Sequence, residues 1–248
     1  MDHPMNLPLV LAVCVGMSLS AVAVLASMRV SLRWEPIIAI LRAGMQLALL
    51  ALVLQFIVTD VLWVLAFLVL MVVVASITAA RRIDPQALRH DRSLWLAILF
   101  SISLGLSAAV LCAFATGAVT FGTQYLLALG GIVTGNVMSI CTLTGKHLRE
   151  QLQVHRGEVE GWLALGATAP VATVRFRRAS VKLALIPGMD SAKTTGLVTL
   201  PGAFVGAVFA GASPVDAGLF QLIVLAGLQL GGAITATTLA RCLASRTS

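Results

Sequence analysis

Apolar residues run through this chain in blocks too long and too continuous for the helices of a water-soluble domain. The blocks cover roughly 7–27, 37–58, 61–80, 94–115, 124–145, 188–210 and 216–240. A helix crosses a hydrocarbon core of about 30 Å with about 20 such residues. None of the blocks alternates polar and apolar positions, as the strands of a membrane barrel do. Helices satisfy their own backbone hydrogen bonds in lipid. The pattern predicts an all-α polytopic integral membrane protein of about seven spans, a single transmembrane domain over 1–248. One stretch, 146–182, is too polar to span. Its first part, "KHLREQLQVHRGEVEGWLALG", has helical spacing, with Leu148, Leu152, Val159, Trp162, Leu163 and Leu165 as an apolar stripe. "GATAP", from Gly166 to Pro170, predicts a helix stop and turn. "VATVRFRRASVKLALIP" predicts a basic amphipathic helix entering the membrane surface.

Composition agrees: 59% of residues are hydrophobic and 11% charged, against about 25% charged in soluble domains. A net charge of +7 would suggest nucleic acid in a soluble protein. Its distribution points to lipid instead, and no nucleic-acid partner is expected. Arg29 and Arg33 follow the first span. Arg81, Arg82, Arg89 and Arg92 follow the third. Lys146, Arg149, Arg156, Arg175, Arg177, Arg178 and Lys182 follow the fifth, and Arg241 and Arg246 the last. All fall on one side, whereas the opposite side carries Asp2, Asp60 and Asp216. The positive-inside rule puts the N-terminus outside and the C-terminus in the cytoplasm. The start, "MDHPMNLP", lacks a basic region, so no cleavable signal peptide is expected. The four cysteines, Cys14, Cys112, Cys141 and Cys242, are scattered without a C-x-x-C and suggest neither a disulfide framework nor a zinc site.

Polar groups inside spans are costly and are therefore functional candidates. Arg42 falls near one end of the second span, where it can snorkel, with Gln46 one turn deeper on the same face. Asn136 lies in "GGIVTGNVMSICTLTG". It serves either as interhelical glue or as part of a substrate pathway. Met138 and Cys141 offer soft metal ligands or ordinary core, and the sequence names no metal. In "IPGMDSAKTTGLVTLPG", Asp190 and Lys193 are helix-face neighbours. They are either a self-neutralising pair at the cytoplasmic mouth or a gate. Pro187, Gly188, Gly196, Pro201 and Gly202 predict that the helix is broken or kinked here. The near match to a phosphate loop in "PGMDSAKT" fails, because Pro187 and Ala192 replace the glycines that let backbone wrap phosphate. His147/Glu150 and His155/Glu158 share a three-residue spacing that reads first as a solvated face. Small residues four apart, at Gly131/Gly135, Gly202/Gly206 and Gly227/Gly231, favour close helix packing, within one chain or across a homodimer. No nucleophile elbow or intramembrane carboxylate pair is present in the sequence, so a transport subunit is expected rather than an enzyme.

The blocks "LRAGMQLALLALVL", "GGIVTGNVMS", "LALGAT", "IPGMDSAKTTGLVTLPG" and "VFAGASPVDAGLFQ" resemble the FetB (YbbM) permeases, bacterial membrane subunits of an ABC transporter associated with iron export. Plant half-transporters linked to aluminium tolerance are similar. The resemblance covers about 37–240. It implies a bacterial inner-membrane permease without a nucleotide site of its own, a separate ABC ATPase that binds ATP and Mg, and a homodimer, since one chain offers one coupling loop. Iron or a related metal species is the implied cargo. A nucleotide sugar, an organic metal complex, or a stand-alone secondary transporter or channel are the alternatives. "EGWLALGAT" resembles the E-A-A-x-x-x-G coupling loop of importer permeases: Glu160 and Gly166 keep its spacing, although Gly161 and Trp162 replace its alanines. The resemblance thus assigns ATPase coupling to Glu160, Trp162, Leu163, Leu165, Gly166, Ala167 and Thr168.

Overall fold

The computed structural model describes residues 6–28, 34–86 and 91–244. Arg29, Arg33, Arg89, Arg246 and Asp2, which enter the charge asymmetry, lie outside them. The described chain divides into two compact units, Met1–Thr59 and Asp60–Ser248.

The first unit contains α1 (Leu7–Ser27) and α2 (Glu35–Ile57), packed on each other. Each begins with a proline in its first turn, where the missing N–H has no helical partner to lose. Most of their described side chains are exposed, and most of these are apolar, the surface of a helix whose solvent is hydrocarbon.

The second unit is built on α3 (Val61–Ile83), α4 (Arg92–Ala115), α5 (Thr123–Val154) and α10 (Pro214–Ala244). Asp60 and Asp91 cap α3 and α4, accepting hydrogen bonds from the N–H groups of Leu62 (3.0 Å) and Leu94 (2.9 Å). Ile98, Ile102, Leu129, Val133, Val137, Val224 and Leu239 fill the core between α4, α5 and α10. Backbone proximity explains its density. Gly105 of α4 lies against Gly231 and Thr235 of α10, where any side chain at Gly105 would collide. The Thr235 hydroxyl donates to the Ser101 carbonyl at 3.1 Å across that contact. Gly227 packs on Leu129, Ala109 and Val133, so the Gly227/Gly231 face does pack within the chain. The Gly202/Gly206 and Gly135 positions face open space.

Four further helices complete the unit: α6 (Arg156–Ala164), α7 (Ala169–Ala172), α8 (Val174–Thr194) and α9 (Gly202–Phe209). Among the described residues there is no strand beyond a single bridge between Thr195 and Thr199. Six helices, α1 to α5 and α10, are long and apolar enough to cross a membrane. Five of these lie within a few residues of their predicted spans. The predicted span 124–145 is longer, because α5 runs on through the first polar turns to Val154.

The predicted span 188–210 is not one helix. The basic amphipathic segment and "IPGMDSAKT" form the continuous α8, which passes through Pro187 and Gly188 without interruption. The predicted break at Pro187 and Gly188 is thereby corrected. Proline removes one backbone donor from the helix, and neighbouring helices in a membrane protein accommodate that loss. The break falls instead at Thr195–Pro201. There Gly196 adopts φ +85, a left-handed conformation that glycine tolerates. Pro201 then serves as N-cap of the short α9.

Candidate functional site

α8 packs along α5 and α10 and connects a basic end to a largely apolar groove. Ala184 is buried against Ile140 and Ala236, a small side chain that lets the helices touch. Beyond that contact the helices part. A cavity of about 450 Å³ opens among Pro187, Gly188 and Ser191 of α8, Asn136 of α5, and Leu225 and Gln229 of α10. A second, of about 430 Å³, is lined by Thr195, Gly196, Phe204, Gln221 and again Leu225. The shared Leu225 makes the two cavities neighbours along one groove.

The groove walls are apolar, yet they hold buried acceptors without partners. Asn136 Oδ1 and Gln221 Oε1 are both buried and accept no hydrogen bond. An unsatisfied buried polar group of this kind costs about 1–3 kcal/mol. Asn136 lies over Gly232, whose missing side chain leaves room: the Oδ1 is 3.6 Å from where a Cβ would stand. Such acceptors facing a cavity are suited to a polar guest or to water. Gln221 and Gln229 were not among the residues singled out from sequence. They stand eight positions apart in an apolar run of α10, so that spacing was the available signal.

Asp190 and Lys193 pair, with Lys193 Nζ 3.0 Å from Asp190 Oδ1, and both side chains are exposed. Asp190 lies about 24 Å along α8 from Val174, at 1.5 Å per residue, beside the cavity-lining Met189 and Ser191. After Thr194 the chain turns, with the Gly196 N–H donating to Thr199 O at 2.8 Å and the Val198 N–H to Thr194 O at 2.9 Å. Leu197 and Val198 stand out from this turn, 92% and 79% exposed.

Met138 is not with Asn136. It packs against the core between α4, α5 and α10, where Cys141 is buried, because residues two positions apart on a helix point to roughly opposite sides. Among the described residues no three His, Cys, Asp or Glu side chains converge. Arg42 and Gln46 are exposed on α2.

At the other end of α8 the predicted apolar stripe splits between two helices. Leu148, Val159, Phe176, Ala172 and Ala240 form a small core with Leu152 and Leu163. Trp162 and Leu165, 49% and 84% exposed, face outward instead. The end of α6 explains Gly166. The Ala167 N–H donates to Trp162 O and the Gly166 N–H to Leu163 O, both at 3.0 Å, with Gly166 at φ +86. This is a Schellman cap, and its left-handed residue favours glycine. Thr168, extended, then leads into α7. Glu160 pairs with Arg156 at 2.7 Å on the exposed side. Glu158 ties α6 to α8 through Arg175 at 3.3 Å, and His155 stacks on Phe176 with ring centroids 5.0 Å apart. The exposed platform is therefore fastened to the first turn of α8.

Known proteins resemble the chain over most of its length. The model of the Uncharacterised protein family (UPF0014) matches residues 8–247. "UPF0014 membrane protein STAR2" of Oryza sativa subsp. japonica is 39% identical over 208 residues, 83% of this chain and 71% of that protein. "Protein ALUMINUM SENSITIVE 3" of Arabidopsis thaliana is 34% identical over 218 residues, 87% of this chain and 77% of that protein. "Probable iron export permease protein FetB" of Escherichia coli (strain K12) is 35% identical over 127 residues, 51% of this chain and 48% of that protein. No solved structure matches the chain. With the family model spanning almost its whole length and its helices those of a polytopic membrane protein, the chain belongs to the UPF0014 family.

Proposed function

We propose that this chain is the membrane-spanning permease subunit of an ABC transporter, driven by a separate ATPase that binds ATP and Mg. The observation that carries the reading is mechanical. One continuous helix, α8, joins an exposed apolar platform at Trp162 and Leu165 to a groove containing unpartnered acceptors. A motion imposed on α6 passes through Glu158–Arg175 and the Val159–Phe176 core into α8. It then moves Asp190 and Lys193 against α5 and α10. The platform end is cytoplasmic in this reading, in a bacterial inner membrane, with the N-terminus outside. A reporter fused at the C-terminus that proved external would reverse that assignment.

The cargo in this reading is iron or a related metal species, moved outward, as the name of the FetB relative suggests. The groove favours one form of it. Its acceptors are neutral amides, and among the described residues no ligand cluster for a bare ion converges. A hydrated or organically chelated metal, held by outer-sphere hydrogen bonds, fits those amides better. Two copies are expected. The turn Thr195–Pro201 lies at the level of Gln221 to Leu225, about 10–16 Å along α10 from Pro214 at 1.5 Å per residue. Irregular backbone at membrane depth requires cover by protein or a water-filled cavity. A second copy supplies it, with the Asp190–Lys193 pair of each copy self-complementary about a twofold axis. The direct test is reconstitution in vesicles with and without the ATPase. ATP-dependent movement of a chelated ferric species is the expected result. Flux that needs no ATPase would identify a stand-alone transporter or channel.

A further inference from the structure

The basic residues of "VRFRRASVK" do more than set topology. Arg177, Arg178 and Lys182 of α8 converge with Arg241 of α10 on a cleft of about 410 Å³, with Thr237 on its wall. The neighbouring cations are neutralised: Arg149 pairs with Asp84 at 2.8 Å, Arg156 with Glu160 and Arg175 with Glu158. The cleft differs. Among the described residues no carboxylate lines it, and Arg178, Lys182 and Arg241 make no ion pair. Arg177 donates through Nη2 to the Pro170 carbonyl at 2.6 Å, which fixes the guanidinium, yet its Nε is buried without a partner. A fixed guanidinium with a spare buried donor is half of a bidentate oxyanion site.

Depth narrows the ligand. Arg241 lies about 40 Å along α10 from Pro214 at 1.5 Å per residue. A bilayer measures about 40–45 Å across including its headgroups. If Pro214 marks one surface, the cleft lies at the headgroup level of the opposite leaflet. Its remaining walls, Val174, Val181 and Ala240, are apolar, as the glycerol and first methylenes of a lipid require. Basic pockets between membrane helices at this level bind anionic headgroups.

We propose that this cleft is a binding site for a phosphate-bearing anion, supplied by an anionic phospholipid of the leaflet that the α6 end faces. Occupancy would hold the start of α8 against the end of α10, next to the point where the platform joins α8.

The test uses the full chain, purified in detergent and stripped of lipid. One arm incubates it with micelles containing equal phosphatidylglycerol and phosphatidylcholine, and native mass spectrometry reads the retained lipid. The wild-type chain should retain phosphatidylglycerol selectively. The triple variant Arg178→Gln, Lys182→Gln, Arg241→Gln should lose roughly a hundredfold in retention, each cation near an anionic surface contributing a factor of about five. These three side chains are exposed, so the fold should survive. The charge-keeping variant Arg178→Lys, Arg241→Lys should still bind and so controls for folding. The other arm adds inorganic phosphate to the lipid-free chain and measures thermal unfolding. Stabilisation of wild type alone by phosphate, with no lipid preference, would keep the oxyanion site and assign it to free phosphate. Equal retention of both lipids without phosphate stabilisation would overturn the proposal. So would a triple variant that matches wild type in both arms.

Discussion

Leu165 and Val159 lie on the same short stretch and do opposite things. Val159 is buried in the core that joins α6 to α8, whereas Leu165 points outward. A charge at Leu165 therefore costs the fold little and should still spoil an apolar docking surface. Leu165→Asp is expected to insert and accumulate normally while losing copurification with the partner ATPase. Retention of the ATPase at wild-type yield would count against α6 as the coupling element. Asp190 and Lys193 pose a question of magnitude. An exposed ion pair contributes about 0.2–1 kcal/mol, while an unpaired charge facing lipid costs about 2.5–3.5 kcal/mol on insertion scales. If a second copy or the groove covers the pair, Asp190→Ala and Lys193→Ala should each lower stability and abolish transport, with the double variant recovering stability but not transport. Normal folding and transport in both single variants would mark the pair as solvated and idle.

At the scale of elements, α8 is a lever because it is continuous. Pro187→Ala should leave the fold intact, since the helix passes through that position already. It should, if anything, stiffen the link between platform and groove. Gly196→Ala is the contrasting change. A left-handed conformation costs a side-chain-bearing residue about 1–2 kcal/mol, so thermal unfolding should shift down for Gly196→Ala and not for Pro187→Ala. Equal effects would mean that the turn does not depend on Gly196. The same distinction separates two glycine roles in the bundle. Gly105 is needed for space, because α10 backbone lies against it, and Gly166 for conformation, because it closes α6.

For the whole molecule, the exposed turn offers the test of the proposed two-copy assembly. A chain whose four native cysteines are replaced by alanine and which carries Leu197→Cys should cross-link in membranes to a species of twice the chain mass. Labelling of that cysteine by a membrane-impermeant maleimide, without cross-linking, would instead place the turn in a water-filled cavity. If neither reaction occurs, lipid covers the turn, and the dimer surface proposed for α8 and α9 fails.

The run lengths of apolar residues alone determined that this is a helical membrane protein and set the ends of most spans, because lipid admits only segments that close their own backbone hydrogen bonds. Sequence spacing also located the Gly166 helix stop and made Asp190 and Lys193 neighbours, since these are contacts within a turn or two of one helix. It did not show that Trp162 and Leu165 face outward while Val159 and Leu163 join a core. The course of α8 was another matter. Pro187 and Gly188 carry the local signal of a break, and packing of α8 on α5 and α10 overrides it, so that the break moves to Gly196. The groove was legible only in part. Asn136 stood out as a polar residue in an apolar run, and its separation from Met138 follows from the helix period, but its place in one groove with Gln221 and Gln229 depends on how α5 and α10 face one another. The basic cleft has the same origin. Arg241 is more than fifty residues from Lys182 in the chain, and only the crossing of α8 on α10 brings their charges to one place.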